Sequence, residues 1–498
     1  MSINLKENTI VQWYAEREKH KCGYCKIEHG SVSYGMWVEL MNVEDYQDLI
    51  DRGWRRSGKY CYKPTMNETC CPQYTIRCTA LNLHLSKSQK KVLKKFNKYL
   101  CDGVLNASNN SNENVNDDDG VNDFFIKEGS SVITDKSFIS NAVDEEIEKT
   151  VDTNSMGDAP TMEQELVNNG LNTVILSQSA KDTTKSKKGN CKEGQGIDPS
   201  KPPCKKAKQL RLERKKEKLL KRGMSLEKLN NTNDQKTLEQ FMESLPDETK
   251  HKLTIKLESM SKESSTFKET LNLYAKYQNV IHNESLSECD EMQFTQFLVD
   301  SPLEPQPFPN GIDEPGFGSF HQQYWMDDKL IAVGVIDILP RCVSSVYFFY
   351  DPDYRNLTLG TYGSLSELYF TRSLNTLVPA IKYYYMGFYI HTCLKMRYKS
   401  KLSPSYLLCP ETYQWFPIEK CTPKLEASKY SRLNEDRNAV DEYLCSANDL
   451  DGIRIFEISK HRLLLFKQYK RFSDEQQEFE NIGKLVGKKA CRSLIFIK

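Results

Sequence analysis

The stretch Ser344–Gly360, SSVYFFYDPDYRNLTLG, decides how the C-terminal half of this chain is read. Val346, Tyr347, Phe348, Phe349 and Tyr350 form an aromatic, β-branched run that fits a buried strand. The run stops at Asp351-Pro352-Asp353, whose proline has no N–H with which to continue a sheet ladder. After Gly360, the residues Leu365, Leu368 and Tyr369 recur at helical spacing. The order strand, tight polar loop, helix puts two carboxylates at the carboxyl end of a strand, the crevice where open α/β sheets take ligands.

The flanks extend the same pattern. HQQYWMDDKLIAVGVIDIL, from His321 to Leu339, reads as a hairpin turning at Asp327-Asp328-Lys329, and Ile381–Ile390 reads as a further strand. Before them, Leu273, Tyr274, Tyr277 and Ile281, and then Phe294, Phe297 and Leu298, give Phe267–Leu298 a helical period. These elements predict a mixed α/β (α+β) domain over residues 266–470, with helices packed on one sheet. The tail, 471–498, is charged with few apolar residues and is assigned to no element.

Residues 1–101 predict a small Cys-rich α+β module. Tyr46, Leu49 and Ile50 mark a short helix that Gly53 can end, Tyr74, Ile76 and Cys78 alternate as a strand does, and Val92, Leu93, Phe96, Tyr99 and Leu100 form one apolar helix stripe. From 102 to 200 the chain is dominated by Asn, Asp, Glu, Ser and Gly, without Trp, Tyr or Arg. Such a segment cannot bury enough apolar surface to offset its ordering entropy and is expected to be a disordered acidic insert. Residues 201–265 follow as a basic helix and connector. There Lys205, Lys206, Lys208, Arg211, Arg214 and Lys215 suit the phosphate backbone of a nucleic acid.

The whole-chain numbers agree with part of the chain being unfolded: 38% of the 498 residues are hydrophobic and mean hydropathy is −0.63. The net charge of +1 averages an acidic middle against a basic segment and says little about partners. MSINLKENTIVQWYAEREKHKC has no apolar core of signal-peptide length, and the run Leu330–Leu339 is too short to span a bilayer. A soluble cytoplasmic or nuclear monomer is expected, in which sixteen cysteines serve as metal ligands or reduced thiols.

Two constellations could carry chemistry. In Cys22-Gly-Tyr-Cys25, two thiolates can meet on one ion, and Cys70-Cys71 can close its coordination sphere, with Cys61 and Cys78 as possible substitutes. Zinc or an iron-sulfur cluster would suit such a site. The second set lies in the C-terminal half. Asp337 interrupts an apolar run, His321, Gln322 and Tyr324 crowd the preceding strand, and Tyr384 lies on a strand that runs into Lys395, Arg397 and Lys399. No Walker loop, HExxH, GxSxG or GxGxxG occurs, which argues against nucleotide hydrolysis.

The motifs CGYC, DYQDLIDRGWRRSGKYCYKP, CCPQYTIR, KPPCKKAK, FHQQYW, VGVIDILP, SSVYFFYDPDY, YYYMGFYIHTC and KMRYK resemble, in order and spacing, the eukaryotic arginyl-tRNA-protein transferases. The resemblance covers about residues 20–100 and 200–420. It implies a GNAT-like acyltransferase domain that moves arginine from arginyl-tRNA to the α-amine of proteins beginning with Asp, Glu or oxidised Cys, a mark for ubiquitin-dependent N-degron degradation. It also implies zinc or an iron-sulfur cluster on Cys22, Cys25, Cys70 and Cys71. Within that reading Lys395, Arg397 or Lys399 would meet the acceptor's carboxylate, and Asp337, Asp351 or Asp353 the arginyl guanidinium. Tyr347, Tyr384 or His321 would serve proton transfer or the oxyanion, with Gln322 and Tyr324 as further substrate contacts. The other readings are an acyl-CoA N-acetyltransferase of the same fold, or a noncatalytic RNA-binding or metal-sensing adaptor.

Overall fold

The computed structural model describes residues 8–104 and 236–498 except Asp247, together with Arg214. The acidic insert and five of the six basic-helix candidates, Lys205, Lys206, Lys208, Arg211 and Lys215, lie outside the described residues, while Arg214 is helical and exposed. The first strands are β1 (Thr9–His20), β2 (Ser31–Leu40), β3 (Arg55–Ser57), β4 (Tyr60–Pro64), β5 (Tyr74–Thr79), β6 (Leu253–Glu258), β7 (Gln306–Phe308) and β8 (Ile312–Met326). Then come β9 (Lys329–Leu339), β10 (Cys342–Tyr350), β11 (Tyr383–Tyr389), β12 (Ser405–Leu408), β13 (Trp415–Pro417), β14 (Arg454–Glu457), β15 (Arg462–Leu465) and β16 (Leu494–Ile497). The helices that matter below are α1 (Val43–Ile50), α2 (Lys87–Asp102), α3 (Phe267–Tyr277), α4 (Leu359–Leu377) and α5 (Gln476–Ser493).

Two sheets result. Seven strands run in the order β15-β14-β16-β1-β2-β4-β3, and nine build a second sheet ordered β13-β12-β5-β11-β10-β9-β8-β6, with β7 paired to β8. The sheets cross the boundaries read from composition. β5, from the Cys-rich segment, is inserted between β11 and β12 of the large sheet. The tail that matched no pattern supplies α5 and β16, which lies parallel to β1. The connector holds β6, which pairs with β8.

Local sequence explains most elements. Asn42 caps α1 by accepting from the Asp45 amide, and Ser86 and Gln89 close a capping box at α2, which ends at Gly103 in the left-handed region. The β8–β9 hairpin turns at Asp327 and Asp328, both at positive φ, as a two-residue primed turn requires. On β10, adjacent side chains point to opposite faces: Phe349 meets Tyr274 of α3 at 5.7 Å, while Phe348 packs into the space left by Gly363 of α4. The large sheet is therefore covered on both faces. Asp351 ends β10 as foreseen and caps the short turn Pro352–Leu357.

One buried ion pair ties the two sheets together. Arg56, on edge strand β3, donates through Nε (2.9 Å) and Nη2 (2.6 Å) to Asp337 on β9. Ser319 donates to the same carboxylate at 2.7 Å, and the Asp337 side chain is fully buried. The charge interrupting the apolar run is thus satisfied inside the chain. Removing one partner of such a pair strands the other charge, at a cost of about 3–5 kcal/mol. Arg56→Met should lower the unfolding free energy in urea by about that much, and adding Asp337→Leu should recover most of it. Unchanged stability of the single variant would show that the pair does not hold the sheets together.

Candidate active site

The parallel strands β10 and β11 pair at three positions only, Cys342↔Tyr383, Val343↔Tyr384 and Ser344↔Tyr385. Just beyond, both carry an irregularity, β10 between Ser345 and Tyr347 against β9, and β11 between Tyr385 and Phe388 against β5. Bulges bend a strand and terminate pairing, so the two strands part within the sheet. Gly387 sits at the bulge with φ 65°, and a Cβ there would meet open space. The next carbonyl, Phe388 O, accepts from Lys399 Nζ at 2.9 Å.

On the α4 face of this gap lies a carboxylate that periodicity did not flag. Glu367 is fully buried, and its Oε2 accepts from the Tyr384 hydroxyl at 2.6 Å. Its Oε1 is buried without a partner, in space that any side chain at Gly334 would fill. Burial raises the Glu367 carboxyl to about 7, against the opposing hydrogen bonds from Tyr384 and Ser345. Burial and the neighbouring Glu367 carboxylate push the Tyr384 phenol well above its usual range. A carboxyl group that titrates near neutrality beside a protonated tyrosine can exchange a proton. In sequence it is an ordinary glutamate within a helix, and only the fold buries it, in one row with Gly363 and Thr371 on the inner face of α4.

The remaining candidates divide between the two faces. Tyr324, whose hydroxyl donates to Gln322 Oε1 at 2.7 Å, belongs with Tyr384 to the main core. Tyr347 lies on the α3 face and donates to Gln278 Oε1 at 2.9 Å. His321 Nε2 donates to Leu298 O at 2.9 Å, its Nδ1 has no partner, and burial lowers its pKa to about 4, so the ring is neutral at pH 7. Asp351 is buried and engaged by Lys276 (2.5 Å) and Lys329 (2.7 Å), while Asp353 is exposed and shares Lys276 at 2.6 Å. Burial opposes ionisation of Asp351, but those two lysines hold its pKa down. Asp337 is held by Arg56. Arg397 is exposed and donates from Nε to His391 O at 2.7 Å, and Lys395 is half-buried on the same short helix.

The cysteines converge as their spacing foretold. The sulfurs of Cys22, Cys25, Cys70 and Cys71 lie within 4.8 Å of one another, whereas Cys61 and Cys78 are buried strand residues outside the group. Sulfurs around a tetrahedral zinc stand ~3.8 Å apart, so the four fit such a centre. Lys26 and His29, at positive φ, and the bond from Cys22 N to Ile27 O turn the knuckle. Cys22 and Cys71 pack against Ile390 and Met396, so this centre abuts the segment that delivers Lys395, Arg397 and Lys399.

A buried carboxyl–phenol pair beside parted strands can serve acid–base chemistry, and comparison with known proteins identifies the class as aminoacyltransferases. Family signatures described as arginine-tRNA-protein transferase, N terminus and C terminus, match residues 20–91 and 269–409. Arginyl-tRNA-protein transferase 1 of Drosophila melanogaster is 41% identical, covering 98% of this chain and 99% of that protein. Arginyl-tRNA-protein transferase 2 of Arabidopsis thaliana is 35% identical over 84% of this chain and 76% of that protein. An aspartate/glutamate leucyltransferase of Campylobacter jejuni is 28% identical over 28% of this chain and 52% of that protein. The chain belongs to the arginyl-tRNA-protein transferase family and transfers arginine from arginyl-tRNA to proteins. This sets aside the acyl-CoA and noncatalytic readings.

Two outcomes follow from this geometry. Because burial raises the Glu367 pKa to about 7, its contribution to stability is complete at acid pH and is lost as pH rises through that value. Glu367→Gln should therefore melt higher than the parent at pH 8 and nearly alike at pH 5, and the reverse order would refute the assignment. Cys22→Ser should lower the metal content measured by elemental analysis and speed amide exchange across residues 391–399. Unaltered exchange would uncouple the centre from that segment.

Proposed function

We propose that this enzyme arginylates protein chains that begin with Asp, Glu or oxidised Cys, marking them for ubiquitin-dependent degradation, and that the chemistry occurs where β10 and β11 part. The observation that carries the reading is the buried Glu367–Tyr384 pair beside that parting, in a chain alike over its full length to a named arginyltransferase. Acidic acceptors are supported by the bacterial relative, whose name specifies aspartate and glutamate. Parallel strands that part within the sheet and are joined by α4 support a GNAT-like reading of the C-terminal half.

An aminoacyl ester is already activated, so the enzyme must position a neutral amine, manage protons and stabilise an oxyanion. The amine nitrogen attacks the ester carbonyl carbon. As the C–N bond forms, the amine proton passes to the Tyr384 oxygen while the tyrosine proton moves to Glu367, 2.6 Å away. When the C–O bond to the ribose breaks, the relay runs back and protonates the leaving oxygen. Among Asp337, Asp351 and Asp353, the exposed Asp353 has the most room for the arginyl guanidinium, since the other two are buried against the chain's own cations. Of the three cations Lys395, Arg397 and Lys399, Lys399 lies nearest the β11 bulge, on Phe388 O, and would add positive charge at the acceptor's entry. The basic helix would contact tRNA phosphates. Zinc or an iron-sulfur cluster on the four cysteines would brace the 391–399 segment, and a visible absorption spectrum of anaerobically prepared protein distinguishes them.

The purified protein with labelled arginyl-tRNA should modify an Asp-initiated peptide and leave a Gly-initiated one nearly untouched, and equal transfer to both would defeat the proposal. Glu367→Gln should lower kcat about 100-fold and flatten the limb of the pH profile near 7.

A further inference from the structure

Three arginines of the segment Asp45–Pro64 are buried, and they differ in what answers their charge. Arg52 pairs with Asp441 at 2.6 Å and Arg56 with Asp337 at 2.6 Å. Among the described residues, the hydrogen bonds of Arg55 go to backbone carbonyls: Nη1 donates to Ile50 O (3.3 Å) and Trp54 O (2.5 Å), and Nη2 to Gly387 O (3.3 Å). Its Nε is buried with no acceptor, although the residue is only 6% exposed. The guanidinium carbon stands 5.2 Å from the Phe388 ring centroid and 5.9 Å from that of Tyr385. Asp51, the carboxylate on this side, is engaged by Tyr385, Gln47 and Arg341.

A buried guanidinium without a counter-ion is costly, and burial lowers the Arg55 pKa accordingly. The cost is concentrated at one place. One of the three carbonyls it holds, that met by Nη2, belongs to Gly387, two residues beyond the last β10–β11 pair, where the Cβ direction opens into empty space. Resting on the function proposed above, we infer that Arg55 is the residue that receives the side-chain carboxylate of the acceptor's first amino acid. A carboxylate is small, planar and singly charged, and it matches the fork of one arginine walled by aromatic rings. A tRNA backbone is instead met by exposed, repeated cations. Lys399, on the adjacent carbonyl of the same bulge, is a second cation beside the entry. Desolvation at Arg55 supplies discrimination, because a neutral isostere such as asparagine leaves the buried charge unanswered.

The test compares wild-type enzyme, Arg55→Lys and Arg55→Gln with arginyl-tRNA and otherwise identical peptides that begin with Asp or Asn. Melting curves and KM for arginyl-tRNA are measured alongside. The inference expects Arg55→Gln to lose roughly 10- to 100-fold in kcat/KM for the Asp peptide, mainly through KM, and the Asp-to-Asn preference to collapse. Arg55→Lys, which keeps the charge and should keep the fold, should lose part of that preference. Retention of the full preference in Arg55→Lys overturns the inference, and decides the matter if Arg55→Gln does not fold. So does an equal loss for both peptides, or a loss confined to KM for arginyl-tRNA, which would assign the cation to a phosphate. A wild-type enzyme that modifies no acceptor would instead overturn the proposed function.

Discussion

The Arg56–Asp337 pair is the constraint on which the rest of the structure depends. β3 is a three-residue edge strand, too short to hold a position by its own ladder, yet it lies against the centre of a nine-stranded sheet. A bidentate, fully buried ion pair gives it one allowed register. Because successive side chains on a strand point apart, placing Arg56 on β9 places Arg55 toward β11, with β10 between them. The same bond that joins the two sheets therefore aims a second, unanswered cation at the parting of β10 and β11. Asp337, whose place in an apolar run made it a candidate for the site, has its carboxylate engaged by Arg56 and Ser319.

The cysteine centre acts on the same region from the other side. Its buried members, Cys22 and Cys71, touch Ile390 and Met396, which flank the turn carrying His391 and Lys395. β11 thus enters the gap between two supports, Arg55 on Gly387 O and Lys399 on Phe388 O, and leaves it over the thiol cluster. A metal held there would not need to join the reaction to affect it, because the cysteines pack on the segment that carries Lys395, Arg397 and Lys399.

The candidates read by residue type scatter across the structure for a physical reason. The cysteine cluster was legible because a short loop with two thiols has few other uses, and a hydrogen bond from Cys70 N to Gly30 O brings Cys70-Cys71 beside it. Tyr384, Tyr347 and His321 were named as equivalents, and nothing in their spacing told that Tyr384 would meet Glu367 while Tyr347 and His321 would sit on the α3 face. Glu367 and Arg55, on which the proposals rest, were not read from the sequence. Each looks ordinary in sequence, a glutamate in a helix and an arginine in a polar run, and each is notable only for the partner it lacks once buried.

By itself the sequence determined the local elements and their order: the strand ending at Asp351, the Asp327-Asp328 turn, the capped helix after Ser86 and the cysteine knuckle. These depend on propensity, capping and turn chemistry within a few residues, so they are written in short windows. Only the tertiary structure decided that β5 enters the large sheet, that β16 lies beside β1, and that the apparent domains share one fold. Those choices depend on pairings between residues hundreds of positions apart. The site belongs to this second kind, because a gap between β10 and β11 is made by two bulges on strands separated by α4. Its chemistry depends on which charges remain unpaired after everything else has packed.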